Sequence, residues 1–370
     1  MQLSVYSRIV IKIGSALIAD EKGEARKAWM ATVAQDVARL IAEGTEVVLV
    51  SSGSVALGKK LLSIPAGVGL SLPQKQAAAA CGQTLVNQAW QQAFSPHDLN
   101  VAQILLNSQI TENRREFLNA RNQLSELLAH KVIPVINEND TIATEELRYG
   151  DNDRLSARVA QICDADALLL LSDVDGLFTA NPQQDPSATH IPLIEEITPE
   201  IQAMASGSTN LHGTGGMATK LDAAQIVTQS ACDMILTRGG NDHPLQKLRD
   251  GGLHSLFRAR PESLTARKQW IAGSVHIAGA VQVDDGAEKA LHDGRSLLFA
   301  GITAVEGDFH KGDVLQVKNA KGQIIAKGLS NYDAIEVRKL KGVQSSNSAA
   351  ILGYEGATES IHRDNLVLMV

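Results

Sequence analysis

Six short runs of consecutive apolar residues, rich in Val, Ile and Leu, punctuate the first two thirds of the chain, at positions 9–13, 47–50, 101–106, 132–136, 167–171 and 234–237. Apolar residues on consecutive positions predict strands covered on both faces. Between the first two runs, Met30, Val33, Val37, Leu40 and Ile41 recur at the spacing of one helical face, and Gly44 supplies a stop signal. Phe117, Leu124 and Leu128 mark a second amphipathic helix ahead of the strand at 132–136. Strands alternating with helices on this scale predict an α/β fold, a mainly parallel sheet sandwiched by helices. Sheets of this kind take their ligands in loops past the carboxyl ends of the strands.

After about residue 260 the pattern changes. Residues 258–268, RARPESLTARK, are charged and carry no strand signal, and from residue 275 short alternating strands are separated by Gly294, Gly301, Gly307, Gly312, Gly322 and Gly328. That predicts a small β-rich second domain. The expected organisation is residues 1–260, a linker at 261–274, and residues 275–370, which suits the two or three domains that 370 residues allow.

Charge and composition narrow the function. With 41 acidic against 34 basic residues and a net charge of −7, the chain lacks the excess of cations that non-specific nucleic-acid binding needs. Aromatic residues make up 4%, a poor supply of stacking platforms for bases. No apolar stretch reaches the ~18–20 residues of a membrane span, and Arg8 and Lys12 interrupt the first apolar run, so no secretory leader is expected. Cys81, Cys163 and Cys232 lie far apart without metal-ligand spacing, and are predicted to be free thiols of a cytoplasmic protein.

Two familiar motifs fail in context. GSVALGKK at 53–60 ends on Lys60 where a P-loop requires a hydroxyl, leaving only a Gly-rich strand-to-helix turn whose N–H groups suit anions. GTGGMA at 213–218 fits the loose dinucleotide pattern but follows a polar loop rather than a strand. Four other segments, all at expected strand ends, concentrate Gly, Lys and Asp. IKIGS at 11–15 places Lys12 in an apolar strand, which is costly without an anionic partner. SSGS at 51–54 closes a buried strand with hydroxyls. NENDTIATEELRYGDND at 137–153 crowds amides and carboxylates at both its ends, at Asn137, Asp140, Asp151, Asn152 and Asp153, and residues 137–140 directly follow the apolar strand and are expected at the rim of a cleft. TGGMATK at 214–220 pairs glycines, which let backbone approach a phosphate, with the mobile charge of Lys220.

Read in order with FLNARNQL at 117–124 and LLLLSDVDGLFTANP at 168–182, these segments resemble the amino acid kinase family, and within it the members that phosphorylate glutamate. The likeness covers essentially the whole chain, since the final stretch, with AILGYE at 350–355 and HRDNL at 362–366, is similar to a PUA domain. Small departures are GSA where many relatives read GSS, and Ser54 and Leu57 in place of commoner alanines.

The resemblance implies transfer of the γ-phosphoryl of ATP to the side-chain carboxylate of L-glutamate, the first step of proline synthesis. It implies that Lys12 and Lys220 flank the transferring phosphoryl, that Asp153 holds both ammonium groups, and that Gly14 and Gly53 offer N–H donors to the same oxygens. The glutamate site implied is Ser52, Asp140 and Asn152, with Asp140 on the α-amino group and the other two donating to carboxylate. The nucleotide side is implied at Ser172, Asp173, Thr214, Gly215, Gly216, Met217, Ala218 and Thr219, together with Lys220. Mg²⁺ is expected to travel with ATP, without a direct protein ligand. Inhibition by proline, a homo-oligomer (dimer or tetramer) and handover to glutamyl phosphate reductase are implied in the same way.

Two alternatives stand beside this reading. One is another acceptor within the family, acetylglutamate, aspartate or UMP. The other is RNA binding through the PUA-like domain, which its composition disfavours. Residues 271–370 hold 10 basic against 12 acidic residues, with a single basic cluster at Arg338, Lys339 and Lys341 and aromatics only at Phe299, Phe309, Tyr332 and Tyr354.

Overall fold

The computed structural model describes residues 1–65, 69–107, 114–142, 152–205, 216–259, 277–344, 347–354 and 357–369. The chain divides into two compact units, residues 1–260 and 261–370. The linker expected at 261–274 lies outside the described residues.

The first unit is built on an eight-stranded sheet. Its strands are β1 (Arg8–Ile13), β2 (Glu46–Ser51), β3 (Asn100–Leu106), β4 (Val132–Glu138) and β5 (Ala167–Ser172), then, past a small hairpin of β6 (Leu177–Phe178) and β7 (His190–Ile191), β8 (Leu193–Ile194), β9 (Asp233–Arg238) and β10 (His254–Phe257). The order across the sheet is β3-β4-β2-β1-β5-β9-β10-β8. From β3 to β9 every neighbouring pair is parallel, and these six strands are the six apolar runs of the sequence. β10 turns antiparallel onto β9, a strand the run pattern does not announce. Chain order reverses at β1, which has β2 on one side and β5 on the other, so the crevice above its carboxyl end is the expected ligand position.

The alternation of side chains along β1 decides where the site lies. Ile9, Ile11 and Ile13 enter a core shared with α2 (Lys27–Ala42), α4 (Leu72–Phe94) and α9 (Pro244–Arg249), through Val33, Val37, Val86, Trp90, Leu245 and others. Val10 enters the opposite core, formed with α5 (Arg114–Ala129), α6 (Asn152–Ile162) and α8 (Met217–Thr228) through Leu124, Leu155, Val159 and Val227. Lys12 shares the parity of Val10 and so faces α6 and α8. Among the described residues, the remaining α-helices of this unit are α1 (Ser15–Ile18), α3 (Ser54–Leu61) and α7 (Pro199–Ala205).

The second unit holds a five-stranded sheet in the order β12-β11-β13-β14-β15, with β11 (Gly279–Val283), β12 (Ile302–Gly307), β13 (Val314–Lys318), β14 (Ile324–Leu329) and β15 (Leu366–Leu368). Short helices at Asp285–His292 and Ala334–Leu340 add to the β-rich expectation. Of the four aromatic residues noted in the sequence, Phe299, Phe309 and Tyr332 are buried in this core, so they are not available to stack on bases. Arg338 donates to the Gly307 carbonyl. Among the described residues, no helix is long and apolar enough to cross a membrane.

Candidate active site

The carboxyl ends of β1, β2, β4 and β5 open on the same side of the sheet, and two helices begin there. Asp153 is the second residue of α6 and Lys220 the fourth of α8. A carboxylate in the first turn of a helix is favoured by the helix dipole, whereas a lysine there is opposed by it. Lys220 is nevertheless buried, because Asp153 is its partner.

Asp153 Oδ1 lies 2.5 Å from Lys12 Nζ and Oδ2 lies 3.2 Å from Lys220 Nζ. One carboxylate with 1% of its side chain exposed thus bridges two ammonium groups from segments more than 200 residues apart. Burial by itself would raise the Asp153 carboxyl, but the charges and hydrogen bonds of Lys12 and Lys220 outweigh it and hold the group below the usual carboxylate range. Thr219 Oγ stands 3.1 Å from Asp153 Oδ2 and 2.8 Å from the Gly216 carbonyl, tying the start of α8 to α6.

Two glycine turns border this cluster. A Cβ on Gly14, which precedes α1, would lie 3.8 Å from Lys12 Nζ. Gly53 has φ +104° and a Cβ there would come 2.8 Å from Ile18 Cγ2, so only glycine makes this turn into α3. Gly58, the second glycine of the near P-loop match, has a different task. Its Cβ would fall 1.8 Å from the Ala78 carbonyl, so it serves the close crossing of α3 over α4 rather than a phosphate.

On the β2 and β4 side, Asn152 Nδ2 donates to Ser52 Oγ at 2.6 Å and to Asn137 Oδ1 at 2.9 Å. Both N–H donors of Asn152 are therefore engaged within the protein, which differs from the expectation that they reach a substrate carboxylate. Asp140 sits half-buried in the turn after β4. On the other side, Ser172 ends β5 and donates to Asp173 Oδ1 at 3.0 Å. Arg238 pairs with Ser172 across β5 and β9 and grips Asp175 with two bonds of 2.8 Å, which fixes the loop carrying Asp173. Gly216, Met217 and Ala218 form the start of α8. Thr214 and Gly215, together with Asp151, lie outside the described residues. On α4, Trp90 Nε1 donates to Ser51 Oγ at the end of β2 and Gln83 Oε1 accepts from Asn137 on β4, while Asn87 Oδ1 is buried; the spacing of four and three among Gln83, Asn87 and Trp90 is that of one helix face, the sequence signal by which they are found.

Residues 7–238 match the amino acid kinase family and residues 279–352 match the PUA domain. Glutamate 5-kinase 1 of Rhizobium meliloti (strain 1021) is 49% identical over 366 residues, covering 99% of this chain and 93% of the relative. Glutamate 5-kinase of Paramagnetospirillum magneticum (strain ATCC 700264 / AMB-1) is 49% identical over 367 residues, covering 99% of both. Among solved structures, a carbamate kinase from Giardia lamblia bound to AMP-PNP is similar in fold, with a TM-score of 0.51 and 19% identity over 69% of this chain and 99% of its own. Identity near one half along the full length, on a sheet with this strand order, places the descent of the protein: the chain belongs to the amino acid kinase family and carries a PUA domain after its kinase domain.

Proposed function

We propose that the protein transfers the γ-phosphoryl group of ATP to the side-chain carboxylate of L-glutamate, forming L-glutamyl 5-phosphate as the first step of proline biosynthesis. The full-length similarity to proteins named glutamate 5-kinase supports the acceptor. The observation that carries the chemistry is the buried pairing of Lys12 and Lys220 on one carboxylate.

The acceptor is already an anion at neutral pH, so no general base is needed, and the barrier is the meeting of two negatively charged reactants. Two ammonium groups against one carboxylate leave a surplus positive charge on largely buried side chains, where it acts most strongly on charge developing at the phosphoryl oxygens. In this reading Asp153 orients the two lysines, Gly14 and Gly53 contribute N–H donors, and Ser52, Asp140 and Asn152 hold glutamate. Ser172, Asp173 and the segment from Thr214 to Lys220 serve the nucleotide. Mg²⁺ fits as a metal brought in on phosphate oxygens, where it would neutralise further charge. Asp153 already faces two ammonium groups, which commits its carboxylate to the lysines rather than to an ion.

Inhibition by proline, assembly into a homo-oligomer and handover of the labile product to glutamyl phosphate reductase belong to the same reading. So does a cytoplasmic location, where Cys81, Cys163 and Cys232 remain thiols. All three are free, and burial pushes the Cys163 thiol up to about 12. The test is ADP release by purified protein with ATP, Mg²⁺ and glutamate, with hydroxylamine trapping the acyl phosphate. Trapped hydroxamate that depends on glutamate, lowered by millimolar proline, is the expected result. Equal or greater turnover with N-acetylglutamate, aspartate or UMP would overturn the choice of acceptor.

A further inference from the structure

Phosphoryl transfer leaves one buried feature without a task, the amides of Asn137 and Gln83 that stand behind Asn152 at the ends of β2 and β4. Asn137 is 2% exposed and Gln83, on α4, is 6% exposed. Asn137 Nδ2 donates to Gln83 Oε1 at 2.8 Å and to Ser54 Oγ at 3.3 Å. Asn152 Nδ2 donates to Asn137 Oδ1 at 2.9 Å and to Ser52 Oγ at 2.6 Å. A primary amide has two N–H donors, so Asn137 and Asn152 have each spent both.

The chain of bonds therefore has a direction. With the donors of Asn152 committed inward, the groups left for a ligand are its carbonyl oxygen, an acceptor, and the hydroxyl hydrogen of Ser52, a donor. Turning all three amides over would keep the same contacts and reverse the presentation. Gln83 would then donate to Asn137, Asn137 and Ser52 would donate to Asn152, and Asn152 would offer N–H groups.

Gln83 sits at the root of this choice. Gln83 Nε2 and Asn87 Oδ1 are both buried and have no hydrogen-bond partner among the described residues. Four positions apart on α4, they share one face of the helix. A donor and an acceptor at that spacing are complementary, and a water between them would satisfy both. That arrangement directs the Gln83 N–H groups toward Asn87 and its carbonyl toward Asn137. The backbone at this point has no slack: a Cβ on the adjacent Gly82 would lie 1.7 Å from the Ser54 carbonyl oxygen.

We propose that Gln83, backed by Asn87, is a positioning residue that fixes the donor–acceptor polarity of the acceptor site. The site then favours a substrate presenting an ammonium group to the Asn152 carbonyl and a carboxylate to the Ser52 hydroxyl. This rests on the reading that glutamate binds at Ser52, Asp140 and Asn152.

Steady-state kinetics of the full chain test it with two variants. Gln83→Met keeps the shape and removes the acceptor, and is expected to raise the glutamate KM about ten-fold while the ATP KM stays within about two-fold. Gln83→Glu keeps an acceptor toward Asn137 and is expected to return the glutamate KM close to that of the unaltered protein. A Gln83→Met protein with an unchanged glutamate KM, or with both KM values raised alike, overturns the proposal. If Gln83→Met does not fold, Asn87→Leu, which removes the group backing the Gln83 amide, is judged by the same split: a raised glutamate KM with the ATP KM unmoved supports the proposal, and an unchanged glutamate KM or both KM values raised alike overturns it. The unaltered chain separates this from the wider reading. No glutamate-dependent ADP release there defeats both, whereas an active enzyme with an indifferent Gln83→Met defeats the polarity role only.

Discussion

Charged groups gather at both ends of the central sheet, and they are answered in opposite ways. At the amino end, the Arg8 guanidinium holds Glu46 through bonds of 2.6 and 2.7 Å and also donates to the Cys163 carbonyl. The Arg8 backbone N–H donates to Asp166 at 2.8 Å, and Asp233 accepts from the Tyr6 hydroxyl at 2.8 Å and from the Ala259 N–H at 2.7 Å. Each acid there is answered by donors of the protein itself. At the carboxyl end, Asp153 answers two ammonium groups at once and leaves one positive charge over. A closed network of this kind serves to hold the fold. A buried cluster with surplus charge is paid for only if something of opposite sign arrives, and that asymmetry separates a site from a staple.

The largest effect that sharpens this contrast is expected from Lys220→Ala. Removing one ammonium leaves Lys12 and Asp153 as a balanced pair, so the melting temperature should hardly move, while ADP release should fall by about three orders of magnitude or more. Steady-state assays beside thermal unfolding of the same preparation check both halves, and a variant with near-normal turnover would defeat the role given to this lysine.

Asp153→Asn comes next, since it leaves two buried ammonium groups without their carboxylate and should lower both activity and stability. Its effect on stability has a defined pH dependence. The folded carboxyl lies below its ordinary value of 3.8, so its contribution is complete above that value and is lost as pH falls through the folded pKa. The stability gap between the unaltered protein and Asp153→Asn should therefore be constant near neutrality and close under acid conditions, measured by denaturant unfolding across pH. A gap that widens on acidification would reverse the assignment.

How far the sequence reveals this depends on how each part is held together. The parallel strands were legible because burial on both faces writes consecutive apolar residues into the chain. Lys12 was legible because a cation inside such a run demands an anion. The partner could be named only through the family resemblance, since nothing local to Asp153 says which lysines it will meet. α4 is hard to read for a different reason. Its first half packs through Ala78, Ala79 and Gly82 at close backbone approach, which leaves no stripe of large apolar residues to count. Gln83 and Asn87 went unread with it. β10 hides because it follows a helix as a parallel strand would, and turns antiparallel only through its pairing with β9.

The smallest expected effect tests the amino end. Tyr6→Phe deletes a donor to the buried Asp233 without touching any group at the crevice, and should lower stability by about 1–2 kcal/mol in urea unfolding with kcat and both KM values unchanged. Lys220→Ala and Tyr6→Phe would then form mirror images, one losing turnover and keeping stability, the other the reverse. Alkaline titration adds a sign. Burial, followed by the hydrogen bond to Asp233, raises the Tyr6 hydroxyl above its ordinary 10.0, so its contribution is complete below that value and decays as pH rises through the folded pKa. The gap between the unaltered protein and Tyr6→Phe should close at the alkaline extreme, where that for Asp153→Asn closes at the acid one. A Tyr6→Phe protein that kept its stability but lost turnover would mean that the amino end of the sheet speaks to the site, and the division between staple and site would no longer hold.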